Sequence, residues 1–280
     1  MKLLITGGSG FLGRRAVRKF GAGCRVLAPA HGELDITDRS AVMAFCEAEK
    51  PDLVLHCAAI SDVGACGREP ERSYAINVAG AVNLAAGAGA VGAKCVLCSS
   101  DQVYFGSPEE RPHREDEPVI PQNLYGREKL EAEFFCRTEN PDCVLLRLSW
   151  MYDAVTLHER EHGDFLRTLL PQLRAGERLS YPVYDRRGIT DVNEVLANME
   201  KCFALPGGVY NFGAPNDCST YELMERVFDR VHLDRNLLTR NEQAFADGPR
   251  NLCMDQSKLN RAGIVFSSTE EGLVRALRNT

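Results

Sequence analysis

Nowhere in the 280 residues does an apolar run reach the length of a membrane span, and nowhere do Lys and Arg gather into a basic run. The first absence excludes an integral membrane protein of the helical kind. The second, with a formal net charge of −6, excludes the electrostatic footprint of a nucleic-acid binder. There is no internal repeat and no low-complexity segment, which excludes solenoids and disordered tails. No signal peptide precedes the opening strand pattern "MKLLITGG", so the cytoplasm is the expected location. What remains is an ordinary soluble composition, long enough for one large domain or a domain with a smaller lobe.

Cysteine is plentiful, at eleven residues, and odd in number. Cys57, Cys95, Cys98 and Cys143 sit inside apolar runs and read as small buried hydrophobes. Cys95 and Cys98 form C-x-x-C, but within a strand pattern rather than at the turn-to-helix start a redox pair needs.

The first 150 residues alternate apolar runs with helical patterns. "KLLIT" (2–6), "CRVLA" (24–28), "DLVLHCAA" (52–59), "KCVLCSS" (94–100) and "CVLLRLSW" (143–150) lack polar alternation, as strands buried on both faces do. Helical patterns lie near 11–20, 38–49, 71–92 and 122–138. This order predicts an α/β fold with a Rossmann-type, doubly wound parallel sheet. Beyond Trp150 the texture changes, with helices expected near 164–175, 190–203 and 219–231 and a late strand at 208–213. The expected division is a dinucleotide-binding domain over 1–150, to which 185–213 returns. A smaller C-terminal substrate-binding lobe is expected from 151–184 and 214–280.

"ITGGSGFLGRR" puts Gly7, Gly10 and Gly13 directly after the first strand and at the opening of a helix. In that position the spacing signals a pyrophosphate cradle: a tight turn, close backbone approach and a helix N-terminus. An NAD site usually carries an acid at the end of the second strand, and "LAPAHG" has none. Arg14 and Arg15 follow the last glycine and could meet a 2′-phosphate. The cofactor expected is therefore NADP(H), with NAD(H) left open.

"NLYGREKLEAEFF" places Tyr125 and Lys129 four residues apart on one helical face. A neighbouring ammonium stabilises phenolate, so the pair can move a proton to or from a carbonyl or alcohol oxygen. Ser100 ends a strand twenty-five residues earlier. No metal site is expected: "HEREH" (158–162) fits H-E-x-x-H, but its flanks are loop-like and nothing fixes a third ligand.

The set "TGGSGFLG", Asn77 in "SYAINVAG", "SSDQVY" and "YGREK" resembles the extended short-chain dehydrogenase/reductase superfamily. "ELDITD" (33–38), "HCAAISDV" (56–63), "LRLSWMYD" (146–153) and "GVYNFGAPNDCSTYEL" (208–223) are similar to the dTDP-4-dehydrorhamnose reductase family within it. The resemblance implies a cytoplasmic NAD(P)H-dependent reduction of a 4-keto-6-deoxy nucleotide sugar. It implies that Ser100, Tyr125 and Lys129 are catalytic, with Tyr125 as proton donor. It implies cofactor contacts from Gly7, Gly10, Phe11, Leu12, Gly13, Arg14, Asp35, Ile36, Ala58, Ala59, Asn77, Ser99 and Lys129. Substrate contacts would come from Ser100, Asp101, Tyr125 and Trp150. The partner is then a small nucleotide-sugar substrate, with a homodimer left open and neither nucleic acid nor membrane expected.

Two absences refine this. Related dehydratases resemble "SSDQVY" but carry Thr-Asp-Glu, whose carboxylates protonate the leaving hydroxyl and remove a proton. Here Gln102 stands in place of the base, which points to simple ketone reduction. "DRRGITDV" (185–192) lacks the proline of the family's Gly-x-Pro-Thr, so the sugar or base pocket can differ. Two alternatives stay open: a nucleotide-sugar epimerase, and a non-catalytic regulator resembling the methionine adenosyltransferase β subunit.

Overall fold

The structure, a computed structural model, describes residues 1–158 and 163–279. Its centre is a six-stranded sheet. The chain order of the first half is β1 (Lys2–Thr6), α1 (Phe11–Phe20), β2 (Arg25–Leu27), α2 (Arg39–Glu49) and β3 (Leu53–His56). There follow α3 (Val63–Arg68), α4 (Pro70–Tyr74), a π-turn (Ala75–Gly80), α5 (Ala81–Ala90), β4 (Lys94–Ser100), α6 (Leu124–Glu139) and β5 (Val144–Leu148). The strands lie in the order Gly208–Phe212, β5, β4, β3, β1, β2. β1 pairs in parallel with both β2 and β3, and β3 with β4. The chain leaves β1 towards opposite sides of the sheet, so the switch point of a doubly wound fold falls between β1 and β3. This is the Rossmann-type α/β architecture the alternation predicted.

The strands read as apolar runs because helices cover them. Leu4, Val54, Cys95, Leu97 and Leu145 of the sheet pack with Val42, Leu84, Ala85 and Ala88 of the helices in one buried cluster. Each such Leu contributes about 1.5–3 kcal/mol relative to exposure. The pattern at 71–92 predicts one continuous helix. The structure breaks it into α4, the π-turn and α5, and the π-turn contains Asn77.

The chain divides into two compact units. Unit 1 comprises 1–103, 121–147 and 196–210; unit 2 comprises 104–120, 148–195 and 211–280. The 104–120 segment, expected with the sheet, clusters with unit 2 for a visible reason. Buried Asn211 accepts from the Tyr104 hydroxyl at 2.7 Å and donates to the His113 and Asp255 carbonyls at 2.8 and 3.1 Å. His113 stacks on the Tyr104 ring at 4.4 Å. Unit 2 has its own core, including Leu166, Leu223, Met224, Phe228 and Leu273. Its helices Thr220–Val231 and Thr269–Arg278 each open with a capping box, Ser219 with Glu222 and Ser268 with Glu271. Among the described residues no helix is long and apolar enough to cross a membrane.

Candidate active site

A cavity of about 640 Å³ lies in unit 1 at the carboxyl ends of β1, β2 and β3. The loop after β1 forms one wall. Gly7 has φ +72°, and a Cβ there would stand 2.5 Å from the Ala58 nitrogen. A Cβ on Gly13 would stand 2.1 Å from the Gly7 carbonyl oxygen, so α1 can follow the turn this closely only without a side chain. Gly10 caps α1 with no side-chain hydrogen bond, which leaves the first N–H groups of the helix for an anion. These features fit a dinucleotide pyrophosphate.

Gly7, Gly10, Arg14, Asp35, Ile36, Ala58 and Ala59 line this cavity as the resemblance implied. Arg14 donates to the Ser9 carbonyl at 3.0 Å. Arg15 does not belong with it: it is buried, donates to the Phe11 carbonyl at 2.9 Å and lies 4.0 Å over the Phe11 ring. One arginine, not two, lines the cavity. Asp35 accepts from the Thr37 nitrogen and hydroxyl at 2.9 and 2.7 Å, and these bonds hold its carboxyl below the usual range. Ser9, His31 and Cys57 also line the cavity and carried no signal of their own in the sequence. Phe11, Leu12, Gly13, Asn77, Ser99 and Lys129 do not line it. Leu12 is instead part of the core.

The catalytic candidates meet beside it. Asn123 caps α6, accepting from the Gly126 nitrogen at 2.7 Å, and its amide donates to the Gln102 side chain at 3.0 Å. Gln102 thus pins the start of the helix that carries Tyr125 and Lys129. Ser100 accepts from the Gln102 nitrogen at 3.2 Å and acts on Tyr125 to lower its phenol. Its hydroxyl also donates to Asp101, which is buried, at 3.3 Å. Tyr125 is buried, and burial pushes its phenol well above the ordinary value, outweighing the lowering effect of Ser100. The Lys129 ammonium lies 5.7 Å from the Tyr125 ring centre and donates to the Cys98 carbonyl at 3.0 Å. Burial pulls Lys129 below its ordinary value, opposed by surrounding acidic groups. His56, on β3, accepts or donates across to Thr6 at 2.7 Å, and burial, then the Lys129 charge, depresses it to about 3.

Cys57 and Cys98 are only half-buried, with sulfurs 3.9 Å apart, whereas Cys95 is fully buried, as is Cys143. The buried-hydrophobe expectation therefore fails at 57, which lines the cavity, and at 98, two residues before the end of β4. Ser99 points to the other face of β4, donating to Glu133 at 2.5 Å. Asn77 is buried and bonds both the nitrogen and the carbonyl of Ile60, at 2.9 and 3.0 Å; Ile60 itself lines the cavity.

In unit 2, Trp150 remains 38% exposed, edge-on to Phe165 and 4.7 Å beneath the Arg187 guanidinium. Thr190, in the stretch without proline, is buried between the Ser149 hydroxyl and the Ala214 nitrogen, at 2.5 and 2.7 Å. Of the H-E-x-x-H stretch, His158 is exposed, and Glu159 and His162 lie outside the described residues. Among the described residues no group of three His, Cys, Asp or Glu side chains could hold a metal ion.

The chain is similar to known proteins along nearly its whole length. The chain is 29% identical to methionine adenosyltransferase 2 subunit beta of Xenopus tropicalis, over 94% of this chain and 83% of that protein. It is 28% identical to the dTDP-4-dehydrorhamnose reductase of Aggregatibacter actinomycetemcomitans, over 99% of this chain and 97% of that one. The crystal structure of dTDP-4-dehydrorhamnose reductase from Bacillus anthracis in complex with NADP superposes with a TM-score of 0.85 at 25% identity, covering 100% and 99% of the two chains. The model of the RmlD substrate binding domain matches residues 1–280. With the glycine loop, the Rossmann-type sheet and the buried Ser100–Tyr125–Lys129 cluster in place, the chain belongs to the RmlD substrate-binding-domain family of extended short-chain dehydrogenase/reductases.

Proposed function

We propose that the protein is an NADPH-dependent reductase of a 4-keto-6-deoxy nucleotide sugar, acting on the C4 ketone with Tyr125 as proton donor. The observation that carries this reading is the buried constellation of Ser100, Tyr125 and Lys129, one strand away from the coenzyme cavity. Bound NADPH supplies the hydride. Burial keeps Tyr125 a neutral phenol, ready to donate. The ammonium of Lys129 stabilises the phenolate left behind. Ser100 holds the carbonyl oxygen, with a hydrogen bond that strengthens as charge grows there. Arg14 provides a forked donor for a 2′-phosphate. Position 102 carries an amide already bonded to Asn123, so elimination lacks a base. Trp150 is assigned to the nucleotide sugar. A homodimer through the exposed Phe134 and Phe135 of α6 is part of the same reading, checked by light scattering.

The test supplies NADPH and dTDP-4-keto-6-deoxy-L-mannose. Wild-type protein should reduce C4. Tyr125→Phe should lose roughly 10²–10⁴ in rate while binding NADPH normally by fluorescence titration. Arg14→Ala should cut the preference for NADPH over NADH by roughly tenfold, the worth of one charge-assisted contact.

The match to the methionine adenosyltransferase subunit favours one other reading, a cofactor-binding regulator. It takes over if NADPH binds, no 4-keto nucleotide sugar is reduced, and Tyr125→Phe matches wild type in every assay.

A further inference from the structure

The C-x-x-C of β4 names the wrong pair of cysteines. Residues three apart on a strand face opposite sides of the sheet, so Cys95 turns into the core cluster and Cys98 turns away from it. The partner of Cys98 lies on the neighbouring strand. β3 and β4 run in parallel with His56 opposite Leu97, which sets Cys57 opposite Cys98 one step further on. The Cys57 nitrogen donates to the Thr6 carbonyl at 3.1 Å, so the residue is still held in the sheet just past the end of β3. The two sulfurs are 3.9 Å apart. Adjacent strands stand about 4.8 Å apart, inside the Cα separation that a disulfide spans. Closing the sulfurs to about 2 Å therefore takes side-chain rotation rather than movement of the sheet.

Access separates this pair from the other cysteines. Eight of the eleven are buried, and only Cys24, Cys57 and Cys98 are half-buried. Cys24 lies before β2, where its thiol donates to the Phe20 carbonyl at 3.1 Å. Cys57 lines the cavity, so a small oxidant that enters the cavity reaches the pair. Both residues also support what surrounds them. Gly7 packs so closely on this main chain that a Cβ there would stand 2.7 Å from the Cys57 carbonyl carbon. The Cys98 carbonyl accepts from the Lys129 ammonium at 3.0 Å.

We propose that Cys57 and Cys98 form an oxidation site, joined by a hydroperoxide into a disulfide across β3 and β4 that distorts the cavity wall and the Lys129 anchor together. Peroxide is the only co-reactant needed. The Cys98 sulfur attacks one peroxide oxygen, the O–O bond breaks, and the leaving hydroxide takes the thiol proton away as water. Cys98 is then a sulfenic acid. The Cys57 sulfur attacks that sulfur, and the S–S bond forms as the S–O bond breaks. The departing hydroxyl takes the Cys57 proton as a second water. Two electrons pass from the sulfurs to the peroxide. Cys57 suits the second role: its bond to Cys98 and then its burial keep it a thiol, with the Lys129 charge opposing.

The disulfide goes beyond the reductase reading, whereas its effect on NADPH rests on that reading. The full chain, reduced and freed of reductant, is treated with hydrogen peroxide. Its remaining thiols are blocked with N-ethylmaleimide and its peptides are mapped by mass spectrometry. A Cys57–Cys98 crosslink should appear, about 2 Da lighter than the two reduced peptides together, and dithiothreitol should reverse it. Cys57→Ser should form no crosslink at Cys98. Recovery of either residue as a free thiol or a sulfinic acid, or a main product that joins either to a third cysteine, overturns the proposal. The wild-type map decides alone if the variant does not fold. NADP+ at about ten times its Kd should slow the crosslinking roughly tenfold by covering Cys57. The crosslinked protein should bind NADPH roughly tenfold more weakly by fluorescence titration. Crosslinking that NADP+ does not slow, or an unchanged NADPH affinity, overturns the link to the cavity. A protein that forms the crosslink but binds no NADPH in either state sinks the coenzyme reading and leaves the disulfide standing.

Discussion

The candidate coenzyme cavity and the candidate catalytic cluster adjoin in unit 1 but are built from different materials. One wall of the cavity is main chain, shaped where side chains are missing at Gly7 and Gly10, with Gly13 letting α1 close on the turn. The cluster is side chain throughout, with Ser100, Tyr125, Lys129, Glu128 and Glu133 all buried. A site made of backbone tolerates many neighbours but no Cβ at its contact points. A site made of buried polar groups tolerates little change of charge, because a buried charge depends on its few specific partners.

Adding a side chain to the backbone site should have the largest effect. Gly7→Val forces a β-branched residue to φ +72° and into the Ala58 main chain. NADPH affinity should fall by ~100-fold or more, about 2.8 kcal/mol, measured by fluorescence titration. Retained affinity would show that the cavity is not shaped by its glycines.

The side-chain site should instead reveal itself through pH. His56 is depressed to about 3 from an ordinary 6.5, chiefly by burial. The folded state therefore resists protonation. Its contribution to stability is whole above pH 6.5 and is lost as the pH falls towards about 3. The loss should approach about 1.4 kcal/mol per pH unit, followed by urea midpoints between pH 7 and 4. His56→Gln should flatten that slope, and an equal slope in both proteins would remove His56 from the account.

The smallest effect belongs to the tie between strand end and helix start. Gln102→Ala removes the acceptor of the Asn123 amide and should cost about 0.5–1.5 kcal/mol by urea denaturation. A loss larger than that of the His56 variant at neutral pH would mean the tie carries more of the cluster than its single bond suggests.

What the sequence made legible follows the same division. Buried parallel strands announce themselves as apolar runs, and a glycine triplet after a strand announces a phosphate loop. "YGREK" gave away Tyr125 and Lys129. Their support was hidden because a charged residue on a helix reads as solvent-facing. α6 inverts that rule: Glu133 is 4% exposed and Phe134 is 67% exposed. Arg15 was misread for a related reason. Its chemistry suited a phosphate, but its place on α1 turns it back over Phe11. Asn77 was visible as a residue, yet the π-turn around it was not, since an alanine-rich helix looks alike with or without the extra residue.

That π-turn widens the helix at one point. Ala75–Gly80 spends one residue more than an α-helix would over the same stretch. Removing a single residue there would leave a smooth helix and composition almost unchanged. It would also close the wide turn from which the Asn77 side chain bonds Ile60 and Glu128 together. Chain length at that point, as well as the amide of Asn77, therefore decides whether the Ile60 wall and α6 stay tied.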